Sequence, residues 1–237
     1  MKPYRTKWPD NFPDVIVDRK LGDATGHELY QAAKSGDPLA AFHLAEALVS
    51  DEAVSNLRKS IGNNKPIIVP VHAIEASGEN MIPLGAGFIL AKKLDLDMDT
   101  SIVQAIKVSR TAGDGWHRLA NPPYYDGKFE KGRMAILVDD TLTQGGTFAS
   151  LKGHIEKQGG KVINIYALTG KQYSRQLRLS RETLNKLREK YENLEQWWKE
   201  IFGYDFSRLT EWEAKYIINS GKTVDEVRDL IIKAKQI

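Results

Sequence analysis

Residues 134–147 read MAILVDDTLTQGGT, and this stretch decides the fold. Residues 134–138 form an unbroken apolar run without a turn former, which is typical of a strand buried on both faces in a parallel sheet. Two acids, Asp139 and Asp140, follow, then a Thr/Gly loop and a predicted helix at residues 148–158. This order places backbone N–H groups and the positive end of a helix dipole at the carboxyl edge of the sheet. We therefore predict an anion site beside two carboxylates, which suits a sugar phosphate.

The rest of the first 170 residues alternates apolar runs with helical patterns. Short apolar runs at residues 15–17, 66–71, 102–108 and 161–168 predict four further strands, and helical stretches separate several of them. This alternation predicts an α/β domain with a parallel sheet and right-handed crossovers. Ligands of such sheets bind beyond the carboxyl ends of the strands. We expect the loops after Val71, Val108 and Val138 to converge there.

From about residue 171 the pattern indicates helices only. Ser180 is a candidate N-cap for one helix with an apolar seam of Leu184, Leu187, Tyr191, Leu194, Trp198 and Ile201. Thr210 with Glu213, and Thr223 with Glu226, each match a capping box and predict two more helices. We therefore predict an α/β domain over residues 1–170 and a C-terminal helical appendage over residues 171–237.

The composition narrows the function classes. The chain has 237 residues, 41% of them hydrophobic and 27% charged, as in ordinary globular proteins. It contains no cysteine, which removes thiolate nucleophiles and favours a reducing, cytoplasmic environment. The net charge of +3 gives no support for a nucleic-acid partner. No apolar stretch is long enough to span a membrane, and the N-terminal residues lack the apolar core of a signal peptide.

The stretch VDDTLTQGGT resembles the signature of the type I phosphoribosyltransferases, in which an apolar strand and two acids precede a Thr/Gly loop and a helix. The resemblance covers residues 37–170 and implies the Rossmann-like parallel sheet flanked by helices of that family. It also implies binding of phosphoribosyl pyrophosphate (PRPP), with the acids on the ribose hydroxyls and residues 143–147 around the 5-phosphate. The implied PRPP-binding residues are Asp139, Asp140, Thr141, Leu142, Thr143, Gln144, Gly145, Gly146 and Thr147.

Two further loops follow from the same resemblance. A pyrophosphate loop is expected at Ala76, Ser77, Gly78, Glu79 and Asn80. Many family members carry Arg or Lys there, but residues 72–80 contain neither, so the positive charge is expected from Mg²⁺ or from elsewhere in the chain. A mobile loop is expected within residues 109–132, which loosely resemble the competence-associated branch of the family. We expect Arg110 to be catalytic there, and the other candidate cations are His117, Arg118 and Lys128, for each of which a solvated surface position is equally open.

The resemblance implies a Mg²⁺-dependent enzyme of nucleotide metabolism. It would transfer a phosphoribosyl group from PRPP to a small nitrogenous, nucleobase-like acceptor, with release of pyrophosphate. Thr143 stands where enzymes for 6-oxopurines usually have an acid, so such a base is disfavoured. We expect a homodimer and assign no protein ligands to a resident metal. A non-catalytic PRPP or nucleotide sensor is the main alternative, and a hydrolase of nucleotides or nucleic-acid ends ranks last. Neither the acceptor nor the role of the appendage is readable from the sequence.

Overall fold

The structure is a computed structural model that describes residues 3–75, 78–105 and 114–235. The strands are β1 (Ile16–Lys20), β2 (Ile67–Pro70), β3 (Ile74–Glu75), β4 (Gly78–Glu79), β5 (Val103–Gln104), β6 (Tyr125–Asp126), β7 (Met134–Leu142) and β8 (Lys161–Gly170). The helices are α1 (Tyr30–Lys34), α2 (Pro38–Leu48), α3 (Asp51–Ile61), α4 (Ile82–Leu94), α5 (Gly115–Ala120), α6 (Gly146–Lys157), α7 (Arg181–Lys190), α8 (Leu194–Phe202), α9 (Glu211–Asn219) and α10 (Val224–Lys235).

The centre of the fold is a parallel sheet with strand order β1-β8-β7-β2. Every pairing between these strands is parallel. Strand β7 lies inside the sheet and is covered on both sides. Its residues alternate between two cores: Ile136 and Val138 pack with α2, α3 and α4, whereas Ala135 and Leu137 pack with α6. The predicted α/β fold with a buried parallel sheet is therefore confirmed.

The prediction that residues 102–108 form a strand of this sheet is wrong. Its described part contributes only β5, which pairs with β6 in an antiparallel ribbon. A strand buried in a parallel sheet needs a nearly continuous apolar run, but Gln104 interrupts this one and Val103 is only partly buried. Of the three loops expected to leave the carboxyl ends of the sheet, those after β2 and β7 do so.

The C-terminal part is helical, as predicted, but its first helix is divided. A turn at residues 191–193, closed by a hydrogen bond from Leu194 N to Tyr191 O of 2.9 Å, separates α7 from α8. The apolar seam continues through the turn, because Leu187, Tyr191, Leu194 and Trp198 are all buried. Both capping boxes form as predicted, at the start of α9 and at the start of α10.

The helical part shares its core with α5, which lies in the segment expected to be a long loop. Trp116 and Leu119 of α5 are buried in one cluster with α7 to α10. The fit at Gly115 is close, since a Cβ there would lie 2.3 Å from Tyr216 Cζ. Segment 114–120 is thus packed against the tail, while the division into domains at residue 170 stays a prediction.

No helix in the described ranges combines the length and the apolar character that a membrane span requires.

Candidate functional site

The two acids lie within β7 rather than after it, because the strand continues to Leu142 and stays paired with β8. Thr141 and Leu142 pair with Thr169 and Gly170 at the end of β8, so β7 extends beyond its apolar run. Asp139 is 7% exposed, and its Oδ1 accepts a hydrogen bond of 2.8 Å from the backbone N–H of Asp140. The pair is therefore held rigidly at the carboxyl edge of the sheet.

Two side chains from earlier elements hold the second acid. Lys34 Nζ, at the end of α1, donates to Asp140 Oδ2 at 2.8 Å. Asn80 Nδ2 donates to the same oxygen at 2.9 Å, while its Oδ1 accepts from Ile82 N at the start of α4. The structure thus brings the predicted Asn80 to the acids. It also adds Lys34, which sequence reasoning missed because no local motif marks it.

The surroundings give the two acids different pKa values. Burial raises the pKa of Asp139 well above its ordinary value, and the adjacent charge of Asp140 adds to the effect. Burial would also raise the pKa of Asp140, but the Lys34 ammonium and the hydrogen bonds from Lys34 and Asn80 hold it below its ordinary value. Asp140 is therefore the member of the pair that keeps its charge to lower pH.

The Thr/Gly loop forms a cradle at the start of α6. Gly145 has φ +79°, in the left-handed region that glycine favours, and a Cβ on it would lie 2.3 Å from Leu177 Cδ2. No side-chain cap is formed at the N-terminus of α6 within the described residues, and a helix N-terminus favours an anion. A cavity of about 30 Å³ lies here, lined by Arg118, Asp139, Thr141, Thr143, Gln144, Gly145, Gly146, Thr147, Phe148 and Glu213.

A buried network holds the loop from behind. Thr210 Oγ1 donates to Gln144 O at 2.5 Å, and Arg5 Nη2 donates to Gly146 O at 3.3 Å. Arg5 also forms a two-pronged ion pair with Glu213, at 2.6 and 3.0 Å. The N-terminal segment and α9 therefore both fix the loop. Sequence reasoning identified Thr210 and Glu213 only as a capping box and gave no signal for Arg5.

A cavity of about 290 Å³ lies in front of the acidic pair. It connects the pair with the loop after β2, because Asn80 and Ala73 line it together with Lys34. Arg118, one of the predicted cations, lines this cavity as well as the small one at the loop. The acidic pair, the Thr/Gly loop and Arg118 thus lie along one continuous edge.

The remaining predicted residues fall into four groups. Thr141 lines both cavities and has its Oγ1 3.1 Å from Thr169 Oγ1, while Leu142 has its side chain in the core, so only its backbone faces the edge. Gly78 and Glu79 form β4, which pairs with β3, and the Glu79 carboxylate contacts His72 Nε2. His117 and Lys128 line none of these cavities. Ala76, Ser77 and Arg110 lie outside the described residues.

A third cavity, of about 520 Å³, lies between the loop, the turn after β8 and the helical tail. We call it the aromatic cavity, because Trp116, Tyr173, Trp212 and Tyr216 line it. The place of Trp212 at a cavity depends on the packing of α9 beside the Thr/Gly loop, for which the sequence gives no local signal.

The acidic pair has the oxygen donors that a magnesium ion prefers. The described residues contain no group of three or more His, Cys, Asp or Glu side chains that could hold a metal. Mg²⁺ commonly uses one or two carboxylates together with substrate phosphates. Asp139 and Asp140 supply such a donor set at the edge of a cavity large enough for a diphosphate.

Two curated proteins resemble the sequence. An uncharacterized protein of Haemophilus influenzae is 56% identical over 154 residues, which are 65% of this chain and 34% of that protein. Protein TraN of Escherichia coli is 44% identical over 232 residues, which are 98% of this chain and 51% of TraN. The chain therefore spans about half, or less, of the length of these relatives. No protein-family model matches the sequence.

Among solved structures, an adenine phosphoribosyltransferase aligns with 57% of this chain and 76% of its own, at 17% identity and a TM-score of 0.40. The adenine phosphoribosyltransferase of Saccharomyces cerevisiae aligns over 58% and 72%, at 15% identity and a TM-score of 0.37. The UMP synthase of Leishmania donovani aligns over 83% and 34%, at 13% identity and a TM-score of 0.35. Similarity at this level transfers no residue role to this chain.

Proposed function

We propose that this chain binds PRPP and transfers its phosphoribosyl group to a nitrogen acceptor, with release of pyrophosphate. One observation carries the proposal. Two carboxylates at the end of β7, the buried Asp139 and the partly buried Asp140, adjoin a glycine loop at the N-terminus of α6. Hydroxyl acceptors beside an anion cradle match a phosphorylated sugar, because each half of the ligand finds its complementary groups.

The loop would hold the 5-phosphate. Its backbone N–H groups, the hydroxyls of Thr143 and Thr147 and the dipole of α6 all favour an anion. The carboxylates of Asp139 and Asp140 would accept hydrogen bonds from the ribose hydroxyls. Because Asp140 is kept charged by Lys34, it is the stronger acceptor of the two.

The pyrophosphate would lie in the cavity in front of the acids. Lys34 and Arg118 line that cavity and bring the positive charge that residues 72–80 lack. Asp139 and Asp140 would hold a Mg²⁺ ion that arrives with the diphosphate, and that ion would supply further positive charge to the leaving group. Asn80 would orient Asp140 through its hydrogen bond.

Catalysis would rest on positioning and on charge. Anchoring the phosphate at one end and the pyrophosphate at the other leaves the anomeric carbon between them open to attack. Lys34 and Arg118 would stabilise the charge that develops on the leaving oxygen. No covalent nucleophile is needed, and we assign no general base.

A PRPP sensor without turnover is the second candidate. The hydrogen bond from Thr210 to Gln144 O favours it, because the bond connects the ligand loop directly to the helical tail. A sensor needs such a connection between its ligand and its output surface.

Turnover separates the two candidates. Purified protein is incubated with PRPP, Mg²⁺ and a panel of nucleobases and their carboxylated derivatives, and the released pyrophosphate is measured. We expect release that depends on one acceptor class. Stabilisation by Mg·PRPP in a melting experiment, without pyrophosphate release from any acceptor, would establish the sensor instead.

A further inference from the structure

The aromatic cavity has the size and the chemistry of a small-molecule site. Its volume of about 520 Å³ is within the range of ligand pockets. Four of its described lining residues are cations, and none is acidic; the cations are Arg118, Lys171, Lys215 and Lys222. This charge contrasts with the neighbouring cavity, where Asp139 and Asp140 form part of the wall.

The aromatic side chains form two pairs contributed by distant segments. The rings of Trp116 and Tyr216 are 5.2 Å apart between centroids, and those of Tyr173 and Trp212 are 4.9 Å apart. Tyr173 is 60% exposed although it contacts a tryptophan. Large exposed aromatic surface beside a cavity favours a planar ligand, because rings stack in offset or edge-to-face contacts.

The lysines lie close to these rings. Lys215 Nζ is 4.7 Å from the centre of the Trp212 ring, and Lys171 Nζ is 5.6 Å from the centre of the Tyr173 ring. Lys215 also contacts Glu211, and Lys222 contacts Glu226, but neither carboxylate is among the lining residues. A ligand in contact with the rings therefore meets positive charge at its edge.

The cavity is continuous with the proposed PRPP site. Thr143 and Gln144 line both the aromatic cavity and the small cavity of the loop, and Arg118 lines all three cavities. A ligand in the aromatic cavity therefore lies next to whatever the loop holds. The charges differ along the edge: the described lining of the aromatic cavity has lysines and no acid, so it attracts an anion without the help of a metal ion.

We propose that the aromatic cavity binds a small aromatic anion, and that this anion is the acceptor substrate. The second part rests on the proposed function. In the reaction, the lone pair of a ring nitrogen would form the bond to the anomeric carbon. The bond from that carbon to the pyrophosphate oxygen would break, its electron pair would leave with pyrophosphate, and any proton on the nitrogen would pass to water. The anionic group, a carboxylate or a phosphate, would lie against Lys171 and Lys215.

Matched ligand pairs test the proposal without PRPP. Tryptophan fluorescence is followed while the full chain is titrated with uracil-6-carboxylate or uracil, and with adenosine 5′-monophosphate or adenosine. We expect quenching by at least one of the two anions, with an affinity at least tenfold higher than that of its neutral partner. Equal affinities within both pairs, or tighter binding of the neutral members, would overturn the proposal.

Variants locate the binding. The double variant Lys171→Gln, Lys215→Gln is expected to lose the preference for the anion. Trp212→Leu is expected to weaken the binding of both ligands in each pair. Lys199→Gln on α8, exposed and outside the lining, is the matched control and is expected to change nothing. Thermal melting verifies that each variant is folded. An equal effect of the control and the cavity variants would contradict the assignment.

A single-stranded oligonucleotide gives the competing outcome. Affinity that grows with oligonucleotide length, with a steep dependence on salt, would overturn the small-ligand proposal in favour of a nucleic-acid surface. The titrations contain no PRPP, and the lysine variants distinguish binding in the aromatic cavity from binding of a phosphate at the Thr/Gly loop. Anion binding without PRPP binding would overturn only the proposed function, and PRPP binding without any aromatic anion would overturn only this inference.

Discussion

Lys34 and Asp140 form an ion pair at the carboxyl end of β7, with Nζ 2.8 Å from Oδ2. The side chains are 19% and 13% exposed, so water screens the pair only in part. The lysine comes from α1, more than a hundred residues before the acid. It supplies positive charge close to the loop after β2, which carries no Arg or Lys between His72 and Asn80.

Replacing Lys34 tests whether its positive charge contributes to ligand binding. Lys34→Gln is expected to weaken binding of pyrophosphate and of PRPP about tenfold, which is about 1.4 kcal/mol, because a cation is lost from the cavity wall. Isothermal titration calorimetry measures the change. Lys59→Gln, an exposed lysine on α3, is the control. Unchanged affinity in Lys34→Gln would remove the residue from the site.

Asp139 makes the folded protein sensitive to pH. Its folded pKa is raised above the ordinary value of 3.8, chiefly by burial. The stability that Asp139 contributes is therefore fully present when the pH is below the ordinary pKa, and it is lost as the pH rises through the raised pKa. Asp139→Asn is expected to stabilise the protein at pH 7, because it removes the cost of a buried charge. The gain should shrink as the pH falls towards 4, as measured by urea unfolding.

Asp140→Asn is the matched variant, and its expected effect on stability at pH 7 is opposite to that of Asp139→Asn. The pKa of Asp140 is lowered, because Lys34 and Asn80 outweigh the effect of burial. Its contribution to stability is present above the ordinary pKa and is lost as the pH falls through the lowered pKa. Asp140→Asn should therefore destabilise the protein at pH 7 and lose this effect in acid. The same sign for both variants at pH 7 would contradict the assignment of charge within the pair.

Thr210 couples the tail to the loop, and Thr223 provides a control. Thr210→Val removes the hydrogen bond to Gln144 O and the N-cap of α9. We expect a loss of about 1 kcal/mol of stability and a severalfold weaker affinity for PRPP. Thr223→Val removes a capping hydroxyl at the start of α10 and should cost similar stability with no change in affinity. Equal affinities in the two variants would mean that α9 does not position the loop.

Gly146 is required by the buried network behind the loop. A Cβ there would lie 2.5 Å from Glu213 Oε1 and 3.2 Å from Arg5 Nη2. Gly146→Ala is expected to displace the ion pair and to cost about 1–3 kcal/mol, as overpacking commonly does. Gly26→Ala, with nothing within 4 Å of its Cβ, is the control. Chemical denaturation compares the stability of the two variants. Equal stability would show that the Arg5–Glu213 network accommodates the added methyl group without cost.

Local patterns were enough to predict the centre of the fold. The apolar run of β7, the acids and the glycine loop are consecutive in the chain, so their order specifies the strand, the edge and the helix start. Thr210 and Thr223 cap α9 and α10 in the same local way. Each of these signals lies within a few residues of the structure that it predicts.

Contacts between distant segments were not predictable in this way. Lys34, Arg5 and Thr210 reach the site from α1, the N-terminus and α9, and no residue near them in the chain marks that destination. The same holds for α5, which was expected to be loop but buries Trp116 in the tail core. The aromatic cavity exists only because these segments meet. The expected homodimer and the boundary at residue 170 stay predictions.

Calorimetric titration of Mg·PRPP tests the central claim most directly. The wild-type chain is compared with the double variant Asp139→Asn, Asp140→Asn, and the cooperative melting of each is recorded. We expect one PRPP per chain for the wild type and no measurable binding for the variant, which should still melt cooperatively. A folded double variant that binds PRPP as tightly as the wild type would contradict the account.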